Sequence, residues 1–189
     1  MVHKLNGQKN IYDIINKEKL DVVNLPISKA HGLPNECYNS IEYTKIERKK
    51  LFEDKWVVIG VASSVPNPGD AKTFDLLGIP LIILRNKKKQ IKVYHNVCSH
   101  RGYKILQKSC RIKNLIRCPY HSWSYDTEGK LKATPHIGGM NKHHSDKFDK
   151  SKSNLKEIRS SIWLDMIFVN ISNNEISFDK YIKPLSDRW

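Results

Sequence analysis

Two short segments limit what this chain can fold into more than any other feature: Cys98-Ser-His-Arg-Gly-Tyr103 and Cys118-Pro-Tyr-His-Ser-Trp-Ser-Tyr125. Each carries one cysteine followed closely by one histidine, and seventeen residues separate His100 from Cys118. Thiolate and imidazole together suit zinc or an iron–sulfur centre. A common zinc finger keeps its cysteines in one half and its histidines in the other. Here each half is mixed. A [2Fe–2S] centre with two cysteines on one iron and two histidines on the other needs that order. Cys98 and Cys118 are then expected on an inner iron, and His100 and His121 on an outer one. Gly102 tolerates positive φ where a loop must fold back, and Pro119 stiffens the second loop. A zinc site built from the same four residues stays open as an alternative, as does their burial as unligated core.

The two segments resemble the Rieske domain of aromatic-ring-hydroxylating oxygenase α subunits, whose usual pattern is C-x-H-R-G followed by C-P-Y-H-G-W-x-Y. This chain departs from it at Ser122, where glycine is usual. Rieske proteins of respiratory complexes carry two further cysteines that form a disulfide; the matching positions here are Tyr103 and Tyr120. The resemblance therefore implies a Rieske-type [2Fe–2S] cluster held by Cys98, His100, Cys118 and His121, of the lower-potential oxygenase kind. It also implies a ferredoxin or reductase as electron donor, a catalytic oxygenase domain or subunit as acceptor, and a homo-oligomer, a trimer in the family. Trp123 and Tyr125 are expected to pack beneath the cluster, and Arg101 to sit at the surface beside it.

At 189 residues the chain can build one domain with an extension, and its hydrophobic content of 39% is ordinary. No apolar run approaches the ~20 residues that span a bilayer, and Met1–Leu20 has no signal-like apolar core. Beyond the two candidate ligands, Cys37 and Cys110 suggest no disulfide framework, so a reducing cytoplasm is expected. The net charge of +14 is spread along the chain. Its short clusters, Arg48-Lys49-Lys50 and Lys87-Lys88-Lys89, lack the aromatic interleaving of a nucleic-acid platform. They read as solvated faces, or as a surface that draws an acidic electron donor.

The expected architecture is mainly β: a Rieske-type antiparallel domain over 41–189, preceded by an arm over 1–40 and carrying a short helical lead-in. In the arm, Ile11, Ile14 and Ile15 share one face of a short helix; Pro26, Gly32 and Pro34 interrupt regular structure. Leu33-Pro34 followed by Tyr38 resembles the lead-in of the oxygenase family. Residues 41–53 read as a helix with capping-box spacing at Thr44 and Glu47. Strands are expected at Trp56–Val61, Pro80–Arg85, Ile91–Asn96, Leu115–Arg117, Trp123–Tyr125 and Leu131–Ala133, with a turn at Asn67–Asp70 and a hairpin tip at 86–90. Each ligand loop is expected at the tip of a strand pair. Residues 137–154 read as a surface loop; His143, His144 and Asp146 in it invite a metal reading, but adjacent histidines point apart unless the backbone bends. Ser161–Ile171 reads as one closing strand, and Ser177–Trp189 as a short helix.

In the oxygenase family a mononuclear iron, held by two histidines and a carboxylate, lies in a C-terminal domain. No D-x-x-H-x-x-x-x-H pattern follows the Rieske motif here, so the resemblance covers the N-terminal part of an α subunit. The leading expectation is an electron-delivering portion of such an enzyme. A stand-alone Rieske ferredoxin-like carrier and a zinc-stabilised basic nucleic-acid binder are the alternatives.

Overall fold

A computed structural model of the chain describes residues 10–189. The expectation that Met1–Leu20 is no signal segment therefore rests partly on residues outside those described. The chain divides into two compact units, residues 1–55 and 56–189. The first unit takes in the 41–53 segment together with the arm, whereas the sequence reading grouped that segment with the strands.

Among its described residues the first unit is a series of short helical turns. A 3-10 turn at Ile11–Asp13 starts at Asn10, whose side chain and that of Asp13 cap each other's backbone. It is followed by α1 (Lys17–Asp21), a second 3-10 turn (Val22–Asn24), α2 (Glu36–Asn39) and α3 (Ile41–Glu47). The capping signal at Thr44 is not used. Ser40 caps α3 instead: its Oγ accepts the Tyr43 N–H at 3.2 Å, and the Thr44 hydroxyl donates back to the Ser40 carbonyl at 3.0 Å. Beyond Glu47 the helix widens into a π-helix over Arg48–Glu53. The wider turn aligns side chains five apart, and two ion pairs use that spacing: Arg48–Glu53 at 3.2 Å and Lys49–Asp54 at 2.8 Å. Ile15 and Ile46 are buried, while Leu51 is exposed.

The second unit is built of short antiparallel strands: β1 (Val57–Val61), β2 (Asp70–Leu76), β3 (Ile79–Arg85), β4 (Ile91–His95), β5 (Cys110–Arg111), β6 (Ile116–Arg117), β7 (Ser124–Tyr125), β8 (Leu131–Ala133), β9 (Arg159–Trp163) and β10 (Met166–Asn170). They form three sheets, ordered β1-β10-β9, β4-β3-β2-β5 and β6-β7-β8. The mainly β expectation holds. The helix α4 (Phe178–Ser186) follows, where a short helix was expected.

Two differences from the sequence reading have clear causes. Strand β2 was not anticipated; it pairs with β3 from Ala71↔Leu84 to Leu76↔Ile79. The segment Ser161–Ile171, read as one strand, is part of the hairpin β9–β10. Leu164 and Asp165 both take positive φ, 48° and 68°, which is the two-residue turn that suits the twist of a hairpin. Asp165 is held there by the Ser63 backbone N–H at 3.0 Å and the Ser63 hydroxyl at 2.6 Å.

Four consecutive residues of β3, Leu81 to Leu84, are fully buried, so this strand is covered on both faces. Ile82 and Leu84 belong to the main core with Tyr94, Ile116, Trp123, Tyr125 and both cysteines, Cys98 and Cys118. A second, smaller core joins Trp56, Phe168, Phe178 and Ile182. The Arg159 guanidinium lies 4.9 Å above the Trp56 ring.

Candidate metal centre

The first candidate loop leaves β4 through Asn96, which is completely buried. The Asn96 Oδ1 accepts the Leu106 N–H at 2.8 Å, and its Nδ2 donates to the Leu106 carbonyl at 2.7 Å. The Asn96 backbone N–H meanwhile donates to the Pro80 carbonyl at 2.8 Å. One side chain thus closes the base of the loop as a paired strand would. Here the expectation of a strand pair under each loop fails: the next strand, β5, pairs with β2 and not with β4. Inside the loop the Cys98 N–H donates to the Tyr103 carbonyl at 2.8 Å, and the Gly102 N–H returns to the Cys98 carbonyl at 2.9 Å.

The second loop repeats that pattern residue for residue. The Cys118 N–H donates to the Trp123 carbonyl at 2.8 Å, and the Ser122 N–H returns to the Cys118 carbonyl at 3.0 Å. This loop is the tip of the β6–β7 hairpin, with Arg117 paired to Ser124 beneath it. Gly102 and Ser122 hold equivalent places and share the left-handed conformation, φ 68° and 61°. The departure at Ser122 therefore leaves the loop path intact. An Arg117 Nη2–H donates to the Ser122 Oγ at 2.9 Å, a contact a glycine cannot make.

The matched loops bring the four expected side chains together in two pairs. Cys98 and Cys118 are both 2% exposed and belong to the same buried cluster. The His100 and His121 rings lie 4.9 Å apart on the outer side, His100 half-buried and His121 exposed. His100 stacks flat on Trp123, 4.5 Å between centroids and 9° between planes. Tyr120 covers His121 at 3.8 Å and meets Tyr103 at 5.5 Å. Among the described residues, no three His, Cys, Asp or Glu side chains converge on a single ion. Two sulfur donors inside and two imidazoles outside fit a binuclear centre.

Burial raises the Cys118 thiol above its ordinary pKa, the Tyr120 and His121 N–H groups oppose that, and the neighbouring Cys98 adds to it. Burial, then His121 and Arg101, hold His100 below the usual imidazole value, so its neutral, metal-binding form is favoured. Tyr125 does more than pack. Its hydroxyl lies 3.2 Å from the Cys98 Sγ and 2.8 Å from the Ser99 Oγ, and it accepts the Ser99 N–H at 3.2 Å. Burial and the Cys98 sulfur push its phenol far above the ordinary value.

Asn96, Ser99 and Arg117 were missed by motif reading. The signal for Asn96 was available: a polar residue at the end of an apolar strand, directly before a loop, must pair its amide when buried. Arg101 is exposed, as expected. Cys110 is an exposed free thiol and Cys37 a half-buried one. His143 and His144 do point apart. The His143 Nδ1 accepts the His136 N–H at 3.1 Å, whereas the His144 Nε2 meets Asp146 at 2.9 Å.

Residues 55–151 match the family described as the Rieske [2Fe-2S] domain. The chain belongs to that family. A Rieske domain carries a Rieske-type [2Fe–2S] cluster, which replaces the single zinc ion as the cofactor. The oxygenase subunit of carnitine monooxygenase from Acinetobacter pittii (strain PHEA-2) is 27% identical over 84% of this chain and 42% of its own length. The α subunit of 2-aminobenzenesulfonate 2,3-dioxygenase from Alcaligenes sp is 28% identical over 82% of this chain and 39% of its own. Among solved structures, the apo form of a quaternary ammonium Rieske monooxygenase superposes with a TM-score of 0.74 at 26% identity, covering 83% of this chain and 44% of that one. Naphthalene 1,2-dioxygenase from Rhodococcus sp. shares the fold, with a TM-score of 0.76 at 24% identity over 89% of this chain and 37% of that one. The chain spans about two-fifths of the length of the curated relatives it matches. Among the described residues no helix is long and apolar enough to cross a membrane.

Proposed function

We propose that this chain is the electron-transfer portion of a Rieske oxygenase α subunit, with Cys98 and Cys118 holding one iron and His100 and His121 the other. The observation that carries the reading is the sorting of the four side chains: two buried sulfurs behind, two imidazoles in front. When bound, the cluster supplies a one-electron carrier. The chain's own residues do the rest. The two matched loops fix the donors so that little need reorganise when charge changes. Trp123 holds the His100 ring flat from one side, and Tyr120 covers His121. The imidazoles form the accessible face, beside a hollow of about 640 Å³ that Arg101, Arg117 and His136 also line. Positive charge around that face favours an acidic donor, a ferredoxin or a reductase domain. A mononuclear iron on an oxygenase domain is the acceptor, in a homo-oligomeric assembly. Cys37 and Cys110, outside the proposed ligand set, are free thiols, which suits a reducing cytoplasm. Relatives named for carnitine and for an aromatic sulfonate both match, so oxygenation is the shared chemistry and ring hydroxylation one form of it.

Anaerobic purification with iron and acid-labile sulfide analysis tests the reading. Two irons and two sulfides per chain are expected; a colourless protein with one zinc overturns it. Cys98→Ala and His121→Ala should each lose the Rieske spectrum, while Cys37→Ala and Cys110→Ala stay coloured. Because neutral imidazoles lose protons more readily on the oxidised centre, its potential should fall at alkaline pH. A potential that stays level through the alkaline range counts against histidine ligation.

A further inference from the structure

The hydrogen-bond chain behind Cys98 ends at the surface, and its proton count is unbalanced. The Ser99 Oγ lies 2.5 Å from the carbonyl of Ser153, which can only accept. Ser99 has one hydroxyl proton, and that contact takes it. In its 2.8 Å contact with Tyr125, Ser99 is therefore the acceptor and the phenol the donor. The same phenol oxygen sits 3.2 Å from the Cys98 Sγ. As a metal ligand Cys98 is a thiolate and can only accept as well. One phenol proton thus faces two acceptors, the serine oxygen nearer and the sulfur more highly charged. Tyr125 and Cys98 are both buried, so water cannot supply what the sulfur lacks, whereas Ser99 is exposed. One of the phenol's own lone pairs is engaged by the Ser99 N–H at 3.2 Å. Ser153 closes the short helical turn Lys150–Ser153, outside both ligand loops.

We infer that Ser99, held by the Ser153 carbonyl, is a positioning residue that draws the Tyr125 hydroxyl partly away from the Cys98 sulfur and so lowers the cluster's reduction potential. The inference rests on the proposal that Cys98 is a cluster ligand. Hydrogen bonds to the sulfurs stabilise the reduced, more negative state and raise the potential. A serine that competes for the proton opposes this. It follows that the 150–153 turn, which shares no motif with the ligands, has a say in the potential.

Three variants of the cluster-loaded full chain test it by redox titration at fixed pH. Ser99→Ala should release the phenol to the sulfur and raise the reduced-to-oxidised ratio at a given solution potential by up to about tenfold, equal to about 59 mV for one electron. Ser99→Thr keeps the hydroxyl and should leave the potential near that of the parent chain. Tyr125→Phe should lower the potential, and adding Ser99→Ala to it should then change nothing, because no proton is left to redirect. An unchanged or lowered potential in Ser99→Ala overturns the inference, as does an equal rise in the Tyr125→Phe background. If the alanine variant does not load, Ser99→Val against Ser99→Thr, equal in shape and differing by the hydroxyl, carries the same test with the same sign. A cluster retained in Cys98→Ala overturns the ligand proposal and this role with it. A cluster lost there, with a potential unmoved by Ser99→Ala, overturns this role alone.

Discussion

The two candidate ligand loops have one internal design and two different sockets. Each closes on itself through the same pair of backbone bonds, cysteine N–H to the carbonyl five residues on and cysteine carbonyl from the N–H four residues on. Each turns through a left-handed residue, Gly102 or Ser122. Below that the likeness ends. The second loop rests on the β6–β7 ladder, so its support is backbone that any sequence of the right register provides. The first rests on the side chain of a single residue, Asn96. The sulfurs differ likewise: the Tyr120 and His121 N–H groups serve Cys118, whereas a phenol from the other loop's strand serves Cys98. A support made of backbone tolerates substitution, and one made of side chains does not.

The sharpest way to break this asymmetry is Asn96→Ala. It leaves the buried Leu106 N–H and carbonyl without partners, at a cost on the order of 3 kcal/mol. The first loop should lose its grip on the metal while the β6–β7 hairpin persists. Denaturant unfolding reads the cost, and iron content against far-UV dichroism reads the selective loss. Ser124→Ala, at the matching base of the second loop, loses one hydroxyl contact to the Ser122 carbonyl, 2.9 Å long, and should cost less than half as much. Equal losses from the two variants would remove the distinction between the sockets.

The same contrast decides what could be read from the sequence. That Cys98, His100, Cys118 and His121 would meet was legible because a metal demands particular atoms at particular spacings, and residue type alone reports that. The hairpin Ile79–His95 was legible because a polar five-residue tip separates two apolar runs. The base of the first loop was not, because Asn96 does through its side chain what sequence patterns assign to strands. Strand β2 was missed because Asp70, Lys72, Thr73 and Asp75 make it look polar, and its apolar residues are split between the faces of the sheet, Ala71 on one and Phe74 and Leu76 on the other. The β9–β10 turn was hidden because Leu164 is an unusual residue at positive φ, and the turn is held by contacts distant in sequence: Ser63 to the Asp165 carboxylate, 102 residues apart, and the Ala62 N–H to the Asp165 carbonyl.

Exchanging the left-handed residues is the next test. A Cβ at Gly102 would meet nothing within 4 Å, so Gly102→Ser should cost chiefly the conformational penalty, about 1–2 kcal/mol. The reverse change, Ser122→Gly, removes that penalty but also the Arg117 contact and adds chain entropy to the unfolded state, so it should fall within about 0.5 kcal/mol of zero. Thermal midpoints of the two variants should therefore move unequally. A matching loss from both would mean that the serine is not strained where it stands.

Acid should also find the loops in sequence. His95 ends the strand that feeds the first loop; burial, then Lys156, hold its imidazole below the usual value. A histidine kept neutral in the fold stabilises above its unfolded pKa of about 6.5, and that share is lost as the pH falls below this. Asp126 opens the turn between β7 and β8. Burial alone would raise its carboxyl, but the Lys130 N–H, the Lys132 amine and the Glu128 N–H together bring it below the usual value. Its contribution is intact above a pH of about 3.9 and disappears only below it. Apo-protein stability should thus decline in two steps, near pH 6 and below pH 4. His95→Gln should shrink the upper step, which His100 shares, and Asp126→Asn the lower, which Asp149 and Glu36 share.

The smallest expected effect belongs to Arg117→Ala. The Arg117–Ser122 bond stands at the surface, and an exposed contact of this kind is worth about 0.5 kcal/mol. Its value as a test is that it should be conditional. In the parent chain the change should lower the melting temperature slightly; in the Ser122→Gly background it should do nothing, because the acceptor is gone. A double-mutant cycle isolates that coupling. A coupling of zero would assign Arg117 wholly to the charged rim beside the histidines, with no part in holding the second loop to the shape of the first.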